Sequence, residues 1–454
     1  MPDYTSDTMK WDKLISDKRF GLEHYHDPKP GARNDFQRDF DRLVFSSPFR
    51  RLQNKTQVFP LPGSIFVHNR LTHSLEVSCV GRSLAHEVAI RLRPRYADTP
   101  EVLDSLNYLG DIVAAACLAH DLGNPPFGHS GEKAIQAYFS EGAGLRFREH
   151  LSEREWNDLT HFEGNANAFR LLTHRFNGRR QGGFAMTYST LASIVKYPFE
   201  STLAESHGKF GFFSSEHADF IKVADELGML RLASPDDTIR YSRHPLVYIV
   251  EAADDICYEI MDIEDAHKLK ILTTGEVIPL LLGYFPQERQ EHMLKVMSHV
   301  DDPNEKIAYL RSCIVGVLVD RCADAFAAHE EEILGGTFRG SLLDHITPLE
   351  KEGYRRCESL SWEKIYCAND VVEIELAGTR IISFLIDELV KAVTDPTLNY
   401  SRLLLAKVPE QYEINAPTLY GKMQAVLDHI SGMTDVYALD LYRRLNGMSL
   451  KINN

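Results

Sequence analysis

Several residues of this 454-residue chain stand at spacings that could do chemistry together. His120 and Asp121 are adjacent at the end of the apolar run DIVAAACLAH, just before Gly123 and the Pro125, Pro126 pair stop the helix. A carboxylate buried there without a partner is so costly that it pairs or binds a metal. For the dipeptide alone, a helix-end ion pair is the simpler account. His73, in HNRLTHSLE at the start of an amphipathic helix, and Asp254 with Asp255, in LVYIVEAADDICYEIMD, offer further donors. Two imidazoles and two carboxylates from three helices suit Mn²⁺, Mg²⁺, Fe²⁺, Ni²⁺, Zn²⁺ or Co²⁺, and leave positions open for water and phosphate.

Helical geometry chooses between the two later aspartates. Ile249, Ala253, Ile256, Cys257 and Ile260 form an apolar stripe at about 100° per residue. Asp254 borders that stripe and is the expected ligand, whereas Asp255 falls on the far side, where a solvated carboxylate or an outer salt bridge fits. Tyr258 and Asp262 follow Asp254 at i+4 and i+8, so the three share a face. His129 and Glu132 lie three residues apart at a predicted helix start. A carboxylate bonded to His129 would orient the ring and raise its basicity for acid–base work. Capping of that helix by Ser130 or Glu132 is the competing reading.

The elements that position these groups are helical almost throughout, so the predicted class is all-α. The exception is TQVFPLPGSIFVHN, where aromatic and β-branched residues flank a Pro-Gly turn and predict a short β-hairpin. Gly-rich breaks at NGRRQGG, around Gly208 and Gly211, and at ILGGTFRGS separate helical blocks. We divide the chain into an N-terminal segment (1–35), a catalytic core (36–268) and a C-terminal helical region (269–454). No repeat or low-complexity segment is present.

A net charge of −15 disfavours polyanions over most of the surface, so nucleic acid would need a local basic patch. Candidates are Arg50 with Arg51 and Lys55, the RLRPR run ending at Arg95, and Arg175 with Arg179 and Arg180. Seven cysteines without a CxxC pair read as buried free thiols. The opening residues are polar and acidic and no long apolar run stands out, so we expect a cytoplasmic protein without a membrane span.

The segments FRRLQNKTQVFPLP, HNRLTHSLEV, AHDLGNPPFGHSGE, HFEGNANAFR, IVKYPF and EAADDICYEIMDIEDA, from Phe49 to Ala266, resemble the deoxyguanosinetriphosphate triphosphohydrolases. That family sits within the HD superfamily, which also includes the SAM-domain-containing dNTP hydrolases. The C-terminal part resembles it mainly through EIELAGTRII. The resemblance implies an HD-domain helical core, metal ligation by His73, His120, Asp121 and Asp254, and a catalytic role for His129 and Glu132. It implies phosphate contacts from Arg70, His161 and Lys196, sugar contacts from Gln57, Asp262 and Tyr258, and base contacts from Tyr366 and Glu375. Glu375 accepting from guanine would explain a dGTP preference.

The implied activity is attack of a metal-activated water on the α-phosphorus of dGTP or another dNTP, releasing deoxynucleoside and tripolyphosphate. Mn²⁺ or Mg²⁺ is the expected ion, a homo-oligomer of hexameric form the expected assembly, and single-stranded DNA a possible effector. Two alternatives stay open: an HD phosphohydrolase of another nucleotide, and a regulator responsive to single-stranded DNA whose site is weak or vestigial.

Overall fold

The computed structural model of the chain describes residues 8–24, 32–59, 67–235 and 238–448. The described residues form helices joined by short connections, with isolated β-bridges and no sheet, as the all-α expectation requires. The helices used below are α1 (Asp35–Val44), α2 (Arg70–Leu92), α3 (Leu109–Ala119), α4 (Gly128–Ser140), α5 (Gly164–Thr173), α6 (Pro245–Lys268), α7 (Pro303–Ala328), α8 (Asn369–Thr394), α9 (Leu419–Ser431) and α10 (Asp435–Leu445). The predicted hairpin is represented by one antiparallel bridge between Thr56 and Asn69, and its turn, 60–66, lies outside the described residues.

Local chemistry sets where these helices begin. Asn69 and Thr72 form a capping box, each side chain accepting the other's backbone N–H at 3.0 and 3.1 Å, which places Arg70 and His73 in the first turn of α2. Pro245 at the first position and His244 as cap start α6.

α3 is apolar on every side and every residue of it except Asp111 is buried, packed against α1, α2 and α6. The stretch Pro100–Ala119 has the length and mean hydropathy, 1.4, of a membrane-crossing segment, yet 72% of it lies inside the protein, which identifies it as core. Each fully buried Leu, Ile or Val in such a helix contributes about 1.5–3 kcal/mol by leaving water.

Two apolar cores result. The first surrounds α2, α3, α6 and α7 and takes in Met9, Trp11 and Leu14 from the N-terminal segment. Trp11 is further held by donating from Nε1 to Glu330 at 2.8 Å. The second core joins α4 to α8, α9 and α10 around Ile382, Leu385, Met423 and Ile430. α4, which begins beside the candidate site, is therefore packed on helices that arrive more than two hundred residues later.

The cysteines are free, but the expectation of burial holds only in part. Cys117, Cys257, Cys322 and Cys357 are buried, Cys313 is half-buried, and Cys79 and Cys367 are exposed, because the last two lie on the outward side of α2 and in the turn before α8. The basic runs are largely used by the fold. Arg91 pairs with Glu87, Asp320 and Asp324, Arg95 pairs with Glu330, and Lys55 is buried and donates to the Asn124 and Ser431 carbonyls.

Candidate active site

The end of α3, the first turn of α2 and the middle of α6 meet in one place. Asp254 Oδ1 lies 2.9 Å from His73 Nε2 and 3.5 Å from His120 Nε2, and Asp121 Oδ1 lies 3.7 Å from His120 Nε2. One donor atom from each of His73, His120 and Asp121 falls within 4.8 Å of the others. All four sequence-predicted ligands are thus brought together.

The donor set fits a divalent cation on the evidence of a single ring. His120 Nδ1 is 2.6 Å from the Cys117 carbonyl, which can only accept, so Nδ1 carries the proton. Nε2 then turns its lone pair into the cluster, where it is buried without a hydrogen-bond partner. A backbone acceptor behind an imidazole is the usual means of orienting a metal-binding histidine. Burial by itself would lower the His120 imidazole, yet Asp121 and Asp254 push it up to about 9, so the two carboxylates favour positive charge at this spot. Asp254 is held well below the usual carboxylate range: burial would raise it, and His120 with His73 overcome that. Asp255, expected as a solvated or outer ion-paired carboxylate, is half-buried: burial pushes its carboxyl up to about 7 although Lys196 lowers it, and its backbone carbonyl accepts from the Tyr354 hydroxyl.

The cluster forms one wall of a cavity of about 330 Å³. Arg70 is buried beside it and donates from Nη1 to Asp121 Oδ2 at 2.7 Å. Lys196 also lines the cavity and pairs with Glu251 at 3.0 Å. Burial would lower Lys196, and Glu251 instead holds it above its ordinary value, so it is a permanent cation. Gln57 reaches the wall with its Oε1 buried and without a partner, and Tyr258 closes the side next to Asp254.

His129 and Glu132 form the expected pair, with Nδ1 and Oε2 3.0 Å apart. The ring is 75% exposed whereas the carboxylate is 6% exposed, so an accessible imidazole is tethered to a buried anion. Glu132 does not cap its own helix. Its other oxygen accepts the backbone N–H of Gly164 at 2.8 Å. That approach requires glycine, because a Cβ at 164 would stand 2.1 Å from Asn124 Oδ1 and 2.7 Å from Glu132 Oε1. Phe127, before α4, sits at φ 62°, a left-handed conformation that costs a residue with a side chain about 1 kcal/mol or more.

The remaining expected residues are placed differently. Asp262 and Tyr366 lie behind Tyr258. The Tyr366 hydroxyl donates to Asp262 at 2.9 Å, and the Tyr366 ring stacks on Tyr258 with centroids 6.1 Å apart. Burial first, and then Glu259 and Asp265, push Asp262 well above the carboxylate range. His161 ends the short helix Glu153–Thr160, its Nδ1 turned to the Asn157 carbonyl, and is not on the cavity wall. Glu375 is exposed on α8, also away from the wall.

Five wall residues escaped the sequence reading: Asn124, Glu163, Asn165, Tyr197 and Lys209. The first three lie inside GNPPFGHSGE and HFEGN, so a polar side chain beside a Gly or Pro turn was the available signal. Lys209 stands between the breaks at Gly208 and Gly211 and pairs with Glu163 at 2.7 Å, a contact across 46 residues that no local pattern announces.

Comparison with known proteins agrees with this geometry. Residues 70–229 match the HD domain and residues 354–444 match the phosphohydrolase-associated domain. The first segment contains His73, His120, Asp121, His129 and Glu132, while Asp254 arrives from beyond it. Over 455 residues the chain is 38% identical to a deoxyguanosinetriphosphate triphosphohydrolase-like protein of Pseudomonas aeruginosa, covering 97% of this chain and 99% of the relative. It is 38% identical over 464 residues to a protein of the same description from Synechocystis, covering 97% and 100%. It is 31% identical over 491 residues to a deoxyguanosinetriphosphate triphosphohydrolase of Serratia proteamaculans, covering 90% and 93%. With an HD cluster able to hold a divalent metal and relatives matched over nearly their whole length, this hydrolase belongs to the deoxyguanosinetriphosphate triphosphohydrolase family of the HD superfamily.

Proposed function

We propose that the cavity hydrolyses deoxynucleoside triphosphates, dGTP foremost, to deoxynucleoside and tripolyphosphate. The observation that carries this is the presence, in one cavity, of a His/Asp cluster beside Arg70, Lys196 and Lys209 with Tyr258 next to them. Three cations facing one cluster suit a chain of phosphates better than a single phosphate. The preference for dGTP follows the names of the relatives.

His73, His120, Asp121 and Asp254 would hold the cation, Mn²⁺ or Mg²⁺ in this reading, and the ion would supply Lewis acidity and a more acidic bound water. Arg70 orients the Asp121 carboxylate and adds positive charge beside it. Lys196 and Lys209 neutralise the phosphate chain. Glu132, fixed by Gly164, orients His129 to move a proton at Nε2, either from the water or to the leaving 5′-oxygen. Gln57 Oε1 lacks a donor and accepts from the sugar 3′-hydroxyl. Tyr258, braced by Tyr366, stands where a 2′-hydroxyl would have to fit.

The same reading includes a homo-oligomer, for which Trp362, Leu376 and Leu403, each at least 64% exposed, offer apolar surface. Light scattering at micromolar concentration tests it, and a monomer would remove this part.

Incubation with each dNTP, each NTP, a nucleoside monophosphate and a cyclic nucleotide, followed by anion-exchange separation, tests the activity. Tripolyphosphate with unphosphorylated deoxyguanosine is the expected outcome. Release of pyrophosphate or orthophosphate, or turnover confined to monophosphates or cyclic nucleotides, would overturn it.

A further inference from the structure

Two buried carboxylates on the cavity wall share one lysine. Glu163 is the residue before α5, and Glu132 lies in the second turn of α4. Lys209 Nζ stands 2.7 Å from Glu163 Oε2 and 4.0 Å from Glu132 Oε2. That oxygen of Glu132 is the one His129 Nδ1 approaches at 3.0 Å, and the other is occupied by the Gly164 N–H. An ammonium and an imidazole therefore have the same carboxylate oxygen within reach, and the ammonium is held back from it by Glu163.

The charges around the lysine fit this arrangement. Burial would lower Lys209, and Glu132 with Glu163 instead hold it above its ordinary value. Burial and then Glu132 push Glu163 up while Lys209 opposes them, so the charge of Glu163 depends on the lysine beside it. Glu163 Oε1 accepts from Asn165 Nδ2 at 2.8 Å, which fixes the carboxylate. Lys209 is half-buried and carries its ammonium on a flexible four-carbon stem. Without the charge at 163, Glu132 is the one remaining carboxylate within 4.0 Å of it among the described residues.

We infer that Glu163 is a positioning residue for acid–base chemistry: it draws Lys209 away from Glu132 and so reserves the Glu132 carboxylate for His129. The inference rests on the reading of this cavity as a hydrolytic site in which His129 moves a proton. With the lysine on Glu163, Glu132 Oε2 accepts from His129 Nδ1, orients the ring and supports positive charge on it. With the lysine on Glu132, the ring loses its acceptor and much of that support, while the ammonium remains in the cavity to contact phosphate.

Glu163→Gln, Lys209→Met and the double variant test this. Glu163→Gln keeps the shape and removes the charge, so kcat for dGTP should fall about 10-fold or more, part of the 10²–10⁴-fold that a positioned acid or base supplies, with KM near that of the parent protein. Lys209→Met should raise KM, and adding it to Glu163→Gln should restore kcat to that of Lys209→Met alone, because the competing cation is gone. Glu163→Asp, which keeps the anion, should stay close to the parent protein. A second measurement needs no turnover: diethyl pyrocarbonate acylates the neutral imidazole, and mass spectrometry of the His129 peptide follows its rate at a fixed, mildly acidic pH. That rate should rise several-fold in Glu163→Gln and return toward the parent value in the double variant. Equal losses of kcat in Glu163→Gln and the double variant, an equal loss in Glu163→Asp, or an unchanged acylation rate in Glu163→Gln overturns the proposal. A parent protein that cleaves no dNTP removes the functional reading instead, and the acylation rates still decide where Lys209 stands.

Discussion

Asp435 Oδ1 accepts the backbone N–H of Phe127 at 2.9 Å, across 308 residues of chain. The second oxygen accepts the backbone N–H of Thr56 at 2.7 Å. One carboxylate at the start of α10 thus holds both the strained residue that leads into His129 and the residue before Gln57. Asp435→Ala should leave two donors without partners, at about 1–3 kcal/mol each, and let both segments shift. Lower thermal stability and a reduced kcat with normal metal content are expected, with Asp435→Asn intermediate because its amide keeps one acceptor. Unchanged kcat in Asp435→Ala would show that the contact is structural only.

Asp121→Ala should abolish metal binding and turnover together, since it removes one of two carboxylates from the cluster and leaves Arg70 buried opposite nothing. Metal analysis by plasma mass spectrometry alongside dNTP hydrolysis checks this. Full activity in metal-free protein would remove the site assignment.

His129→Ala should keep metal and substrate affinity while lowering kcat by about 10²–10⁴-fold, the usual contribution of a positioned acid or base. Its ring lies 3.0 Å from Glu132 and belongs to none of the four ligands. Loss of metal in this variant would make it a ligand instead.

Discrimination at the sugar should come from Tyr258. A buried ribose hydroxyl without a partner costs about 1–3 kcal/mol, or about 5- to 150-fold in kcat/KM, before any steric overlap is added. dGTP should therefore be cleaved better than GTP by at least that factor, and Tyr258→Ala should narrow the ratio. Comparable kcat/KM values for the two nucleotides in the unmodified protein would contradict the placement of the sugar.

Stability should fall on mild acidification because of His244. It is fully buried, its Nδ1 accepting the Leu246 N–H and its Nε2 donating to the Leu14 carbonyl, both at 3.2 Å. A second ring proton would meet the Leu246 N–H. Burial accordingly lowers the imidazole from 6.5 to about 4. The unfolded chain takes up a proton between those values and the folded chain does not, so stability present above pH 6.5 is lost as pH falls toward 4. The contribution is up to about 3 kcal/mol. Urea unfolding at a series of pH values should show this decline, and His244→Asn, which can still cap α6, should make it shallower without removing it, because burial also lowers His174 and His429 to about 4. An identical slope in the variant would move the effect to another group.

Much of the chemistry was legible in the chain because it is local or periodic. Helix starts were readable near His73 and near His129. The choice of Asp254 over Asp255 followed from the 3.6-residue repeat, and the pairing of His129 with Glu132 from their three-residue spacing. What only the tertiary structure decided are contacts between residues far apart in sequence. The Asp435 clamp and the Lys209 to Glu163 pair depend on how helices pack, and packing energy is carried by surface complementarity that leaves no short-range pattern. The positions of His161 and Glu375 off the cavity wall have the same origin: residue type and motif say what a side chain can bind, while the rotation of its helix in the assembled core settles what it faces.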